Sequence, residues 1–224
     1  MKNVKKQNLE LINSYKLDSI IKVDEDLCIN CGACIRACPG GLNTKNEFPV
    51  PIGKEKVEQL LDISRFAING GNRQVIKWTV INDSTRAHQI SEMTIDWMKI
   101  VREKNPALYQ EAKLELFVEP WDLGQDRISR GAPCMIVACA PNDERTVPPA
   151  AMIAISQIQS AAPAPGLGTT FSGAINTAAQ GYSLLIGLLG IPEGYIPFGT
   201  FLIDYPAERY LRIPTRKPVD VTWN

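Results

Sequence analysis

Four cysteines fall within eleven residues, in the run Cys28-Ile29-Asn30-Cys31-Gly32-Ala33-Cys34-Ile35-Arg36-Ala37-Cys38-Pro39. Thiolates at the spacing CxxCxxCxxxCP are the ligands of an iron–sulfur cluster. Tight turns bring three sulfurs to one face, Gly32 lets the backbone approach, and Pro39 ends the turn. A structural zinc knot is the rival reading, but its spacing rules are looser. In chains with two such runs, the fourth cysteine of each serves the other cluster. Here there is one run, so Cys28, Cys31 and Cys34 are three ligands in search of a fourth. Two outcomes stay open: a single cluster with Cys38 turned inward, or a loop that holds none. The remaining thiols, Cys134 and Cys139, are five residues apart. On one strand that separation puts them on opposite faces, so they read as small core hydrophobes.

Three other segments carry polar or glycine-rich chemistry. Asn69-Gly70-Gly71-Asn72-Arg73-Gln74 is a turn that offers amide donors. Gly166-Leu167-Gly168-Thr169 offers bare backbone, and it is not a phosphate loop because no Gly-Lys-Ser/Thr follows. Arg212-Ile213-Pro214-Thr215-Arg216-Lys217 is a basic tail suited to forking a phosphate. Together they point to an aromatic cofactor that bears a phosphate.

The elements that must position these pieces follow from periodicity. Residues 1–26 read as a helix or arm followed by a strand over 20–24. The apolar spacing of Val57, Leu60, Leu61 and Ile63 predicts a helix over 54–66, and that of Ile90, Met93, Trp97 and Met98 another over 86–101. Strands are expected over 75–81, 133–140 and 195–205. The 47 residues from Thr146 to Pro192 carry no charge, and their glycines and prolines predict two or more buried helices around a turn.

Length and composition set the outer limits. The 224 residues allow one large domain, or a medium one with a small appendage. Lys plus Arg (24) balance Asp plus Glu (24), which argues against a nucleic-acid partner. The single histidine, His88, excludes a multi-histidine metal site within one chain and is expected to be solvated, with no catalytic role. The first 22 residues lack the apolar core of a secretory signal, and the apolar stretch ending at Pro192 is too short to span a bilayer. A cytoplasmic protein with no membrane partner is expected.

Taken in order, these segments resemble the nitroreductase family, in the subgroup with an N-terminal ferredoxin-like module. Ala67-Ile68-Asn69-Gly70-Gly71-Asn72-Arg73-Gln74 is similar to the family's A-P-S/T-G-x-N-x-Q loop. Trp121 to Asp126 with Arg130-Gly131-Ala132-Pro133 is similar to its G-x-D…GAP segment. Gly166 to Thr169 is similar to its flavin wall, and Tyr205-Pro206 with Tyr210 to Pro218 to its closing phosphate-binding segment. The resemblance implies an α+β fold, a mainly antiparallel sheet flanked by helices, with a half-ferredoxin module over 1–45 and the flavin domain over 46–224. It implies a homodimer with FMN at the interface. Asn69, Gly70, Asn72 and Gln74 would meet the flavin and its ribityl chain, Gly166, Leu167 and Gly168 would lie along the ring, and Arg216 with Lys217 or Arg212 would hold the phosphate. A 4Fe-4S cluster would sit on Cys28, Cys31, Cys34 and Cys38. The implied activity is electron transfer from NAD(P)H or a ferredoxin-like donor to a nitroaromatic, quinone or similar conjugated acceptor, with no catalytic side chain assigned.

The sequence also departs from that pattern. The family's R-S-x-R, whose arginines meet the flavin, is absent, as is the second cysteine run. Ile68 and Asn69 stand where Pro and Ser are usual, and Val75 replaces the Pro after Gln. Loss of one desolvated Arg–phosphate contact costs on the order of 2–5 kcal/mol. The alternative implied by these departures is a non-catalytic, degenerate protein that binds flavin or an iron–sulfur cluster.

Overall fold

A computed structural model of the chain describes residues 50–142, 146–206 and 218–223. The cysteine run 28–38, the strand expected over 20–24, and Arg212, Arg216 and Lys217 lie outside the described residues. Residues 50–206 fall in one compact unit, Leu42–Ala207, and the account that follows concerns that unit.

Helix α1 spans Lys54–Ser64 and buries Val57 and Leu60. A short 3-10 turn, Gly70–Asn72, leads to strand β1, Lys77–Ile81. Helix α2 spans Ser84–Lys104. Its start is capped by Asp83, whose carboxylate accepts from the backbone N–H groups of Thr85 and Arg86 at 2.8 and 3.4 Å. Arg102 and Lys104 in its last turn suit the negative end of the helix dipole. Two short helices follow, α3 (Pro106–Glu111) and α4 (Glu115–Asp122). Strand β2 is Cys134–Pro141, helix α5 is Val147–Ala161 and strand β3 is Gly168–Phe171. Helices α6 (Gly173–Gly181) and α7 (Ser183–Leu189) precede strand β4, Tyr195–Asp204.

The four strands form one antiparallel sheet in the order β1-β2-β4-β3. The pairs Cys134↔Ile203, Ile136↔Phe201 and Ala138↔Gly199 share one face, and Met135↔Leu202 and Val137↔Thr200 share the other. The first face packs against α1 and α5 through Val57, Leu60, Ile155 and Ile158. The second packs against α2, α6 and α7 through Ile90, Ile95, Met98, Ile175 and Leu185. The fold is therefore α+β in three layers, as the resemblance implies. Because helices cover both faces, β2 reads as an unbroken apolar run with no polar alternation.

The expected helices and strands over 54–66, 75–81, 86–101, 133–140 and 195–205 are all present with shifted ends. The charge-free stretch holds three helices and the additional strand β3. Cys134 and Cys139 lie in opposite face clusters, both fully buried, as their spacing predicts. Burial pushes the Cys134 thiol up to about 12. Burial also raises that of Cys139, against smaller opposing effects of a Thr79 hydrogen bond and the Lys77 charge.

The α5 layer approaches β4 at a glycine. A Cβ on Gly199 would overlap the Cδ1 of Ile155 and stand 3.1 Å from the ring of Phe171. Ile155 is itself fully packed, so it has little room to give way. Gly199→Ala is expected to destabilise the fold by about 1–3 kcal/mol, the usual cost of overpacking. Trimming the clashing side chain, Ile155→Val, should recover part of that loss in the double variant. Urea unfolding of the two single variants and the double measures both effects.

Candidate functional site

The loop after α1 is built by its own side chains. Asn69 is extended (φ −144°), and the chain then turns through Gly70–Asn72. Gly71, Asn72 and Gln74 all sit in the left-handed region, at φ 62°, 52° and 52°. Glycine adopts that region freely and asparagine tolerates it, whereas Gln74 does so at a cost of order 1 kcal/mol. The carboxamide of Asn69 holds the conformation, its Nδ2 donating to the Ala67 carbonyl at 3.1 Å and its Oδ1 accepting from the Gln74 N–H at 3.0 Å. Gln74 Nε2 donates to Asn72 Oδ1 at 3.0 Å. The loop borders a cavity of about 560 Å³, with Asn69, Asn72 and Gln74 on its polar side and Phe66 and Ile68 on its apolar side. Phe66 is 69% exposed and Ile68 78%. The Arg65 guanidinium stands 5.1 Å over the Phe66 ring and also lines this cavity. Asn69 thus builds the loop, while Asn72 and Gln74 keep a donor and an acceptor uncommitted among the described residues.

The second sequence-predicted piece lies beyond the end of α5. The N–H of Gly166 donates to the Pro163 carbonyl at 3.0 Å and that of Leu167 to Ala162 at 2.9 Å. Gly166 is exposed with φ 77°, and among the described residues a Cβ there would meet nothing within 4 Å. Leu167 is 1% exposed, its side chain sunk in the core, so it offers a ligand only its backbone. Gly168 begins β3 opposite Asp204 of β4. Lys56, from the first turn of α1, donates to the Pro165 carbonyl at 3.2 Å and to the Tyr205 hydroxyl at 3.3 Å.

Helix α5 fixes how these pieces stand to one another. A Cβ on Gly70 would come 3.0 Å from Thr146 Cγ2, so the first loop abuts the residue just before α5. The glycine wall folds back on Ala162, which caps its end. Fifteen helical residues separate the two, about 22 Å at 1.5 Å per residue. Within one chain Gly70 thus lies at the Thr146 end of α5 and Gly166 to Gly168 beyond its Ala162 end, while Phe66 reaches back to Ser160 and Ala161.

His88 is exposed, as expected, at 64% of its side chain. It stacks on Trp121 with centroids 5.1 Å apart, and its Nδ1 lies 3.9 Å from Asp126 Oδ2. Asp126 in turn accepts from the N–H groups of Ile128 and Ser129. No cluster of three or more metal-ligating side chains occurs among the described residues.

Two residues at the wall escaped the sequence reading, Lys56 and Asp204. Asp204 is fully buried at the end of β4. Its Oδ1 accepts from the Tyr205 N–H at 2.7 Å, and its Oδ2 has no partner among the described residues. Burial pushes its carboxyl up to about 6, against a smaller opposing effect of the Tyr205 hydrogen bond. A lone acid ending an otherwise apolar strand was the available signal. The fold favours the protonated form, so this residue supports stability below pH 4, and that support is lost as pH rises through about 6. Asp204→Asn, which keeps an acceptor for Tyr205, should therefore gain up to about 3 kcal/mol over the parent between pH 4 and pH 8. Urea unfolding across that range tests it, the expected result being curves that diverge only as pH rises.

Residues 49–203 match the nitroreductase family, and residues 20–43 match a 4Fe-4S binding domain. The sequence matches no curated protein. The fold is similar to that of a nitroreductase with bound FMN from Desulfitobacterium hafniense DCB-2, at 22% identity over 80% of this chain and 90% of that one (TM-score 0.60). A nitroreductase with bound FMN from Bacteroides fragilis NCTC 9343 is similar at 14% identity over 76% and 90% (TM-score 0.57). An FMN-dependent nitroreductase from Clostridium difficile R20291 is similar at 20% identity over 78% and 90% (TM-score 0.57). The family match runs from just before α1 to the end of β4, taking in the loop, the wall and every strand of the sheet, and on that ground the chain belongs to the nitroreductase family of flavin-dependent oxidoreductases.

Proposed function

We propose that the chain is an FMN-dependent oxidoreductase that works as a homodimer and passes electrons from NAD(P)H or a ferredoxin-like donor to a nitroaromatic, quinone or similar conjugated acceptor. The observation that carries this reading is the exposed, left-handed backbone at Gly166, where a built Cβ meets no described residue within 4 Å. The spacing of the half-sites supports the dimer. In this reading a single flavin takes the loop of one chain and the wall of another. The outward face of α5, with Met152 half exposed and Ser156 and Ser160 beside it, carries no charge that a second copy would have to desolvate.

In this reading the backbone of Gly166, Leu167 and Gly168 lies along the flavin ring. Asn72 and Gln74 offer a donor and an acceptor to its polar edge or ribityl chain, on a loop that Asn69 and Gly70 shape. Phe66 and Ile68 shed water on closing over the apolar side. Arg212, Arg216 and Lys217 are assigned to the phosphate. Bound FMN supplies hydride transfer and both one- and two-electron chemistry, so the protein's part is placement and exclusion of water. Cys28, Cys31 and Cys34, with Cys38, are assigned to one 4Fe-4S cluster in a module over 1–45, with the flavin domain over 46–224. Such a cluster favours a low-potential one-electron donor. The absent R-S-x-R favours a second reading, a flavin binder without turnover.

Protein purified without oxygen should hold about one FMN and about four irons per chain. It should run as a dimer and oxidise NAD(P)H or a reduced ferredoxin in the presence of a nitroaromatic or quinone. Donor and acceptor that share one site alternate, so initial rates should give parallel double-reciprocal lines. Bound FMN without turnover on any donor would favour the binder. Absence of FMN even after reconstitution would overturn both readings.

A further inference from the structure

We infer that Lys56 is a positioning residue of the flavin site, tethering the glycine wall at Gly166 to the strand end at Tyr205. This rests on the flavin reading above. The side chain leaves the first turn of α1 and reaches residues 109 and 149 positions away in sequence. Its ammonium donates to the carbonyl of Pro165 and to the hydroxyl of Tyr205, and stands 4.7 Å over the Tyr205 ring.

The Pro165 contact acts on Gly166 through peptide geometry. The Pro165 carbonyl and the Gly166 N–H belong to one rigid plane. Lys56 holds the oxygen end of that plane, and the Pro163 carbonyl holds the N–H end at 3.0 Å. Glycine is the residue least able to hold a conformation by itself. Two backbone hydrogen bonds set the left-handed turn at Gly166, from its own N–H to the Pro163 carbonyl and from the Leu167 N–H to the Ala162 carbonyl, and Lys56 adds a side-chain hold on the peptide plane that enters it. The Tyr205 contact binds the same lysine to the residue just after β4, which precedes in sequence the basic segment carrying Arg212, Arg216 and Lys217. One side chain thus links the piece assigned to the ring with the approach to the piece assigned to the phosphate.

The ammonium of Lys56 is committed to the wall and the strand's flank. Lys54 pairs with Glu58, and Lys99 with Asp122. Among the described residues Lys56 has no carboxylate partner, as is also so for Lys77, Lys104 and Lys113. An ammonium carries three donors, and Lys56 commits two of them to a carbonyl and a phenol.

The test uses the full chain with Lys56→Met, which keeps the stem and removes the charge, alongside Lys56→Arg and Tyr205→Phe. Two quantities are read: the FMN dissociation constant from flavin fluorescence, and amide hydrogen exchange at Gly166 in flavin-free protein. Lys56→Met should weaken FMN binding about tenfold and speed Gly166 exchange by a similar factor, at an almost unchanged melting temperature. Lys56→Arg should restore most of both effects. Tyr205→Phe should give a smaller loss that does not add to that of Lys56→Met, since the two act as one unit. FMN bound equally well by the parent and Lys56→Met, with equal exchange, would overturn the assignment and leave the flavin reading standing. A parent chain that takes up no FMN would overturn the flavin reading and the assignment with it.

Discussion

The pairing of β2 with β4, sealed on both sides, is the constraint from which the rest of this domain follows. Its ladder runs from Cys134↔Ile203 to Pro141↔Tyr195. Nearly every residue along it is buried. Buried backbone polar groups must find partners, and here each strand can find them only in its neighbours. The ladder breaks once, at a bulge between Ala138 and Cys139. There β4 brings in Pro197, which has no N–H to contribute and is tolerated at such an irregularity. Two helical layers must then cover the two faces, and each must present an apolar stripe. That requirement explains the charge-free stretch better than any feature of the stretch itself. Helix α5 carries Ala150, Ala151 and Ala154 on its buried side, small enough to let it come close to the sheet.

The position of the candidate site is a by-product of that layering. Helix α5 crosses its face of the sheet with one end at Thr146 and the other at Ala162. Whatever packs at those ends is held apart by a rigid rod. The loop around Asn72 and the wall around Gly166 are each well formed, the first by Asn69 and the second by Lys56 and Pro163. In the proposed reading each is a half-site formed before its ligand arrives, which lowers the ordering cost of binding.

Much of this was legible in the sequence because periodicity reports burial. The helices around Leu60 and Ile90, and the strands around Val137 and Leu202, announce themselves by spacing or by unbroken apolar character. The opposite faces of Cys134 and Cys139 follow from counting alone. Other elements left no comparable trace. Helix α3 is six residues with Pro106 at its start, and α4 is eight with Pro120 inside it, too short for a stripe to repeat. Strand β3 is four residues beginning at a glycine, which is too few to separate a period of two from one of 3.6. At the site, the glycines and asparagines were legible because left-handed backbone has a narrow list of residues. The division of labour among them was not, since Asn69 turns its carboxamide back into the loop. Lys56 was invisible for a different reason: it looks like any other lysine in a helix's first turn until Pro165 and Tyr205 are brought to it by folding.

The placement of Cys134 and Cys139 has a bearing on how the rest of the molecule can be interrogated. Both are fully buried, on opposite sides of the sheet, with thiols that burial keeps protonated. A protonated, inaccessible thiol is a poor nucleophile, and two on opposite faces cannot reach each other to form a disulfide. The flavin domain is in this sense chemically silent toward thiol reagents. Any cysteine that reacts in the native protein belongs to the run from Cys28 to Cys38, so thiol labelling reads the state of that segment without a background from the core.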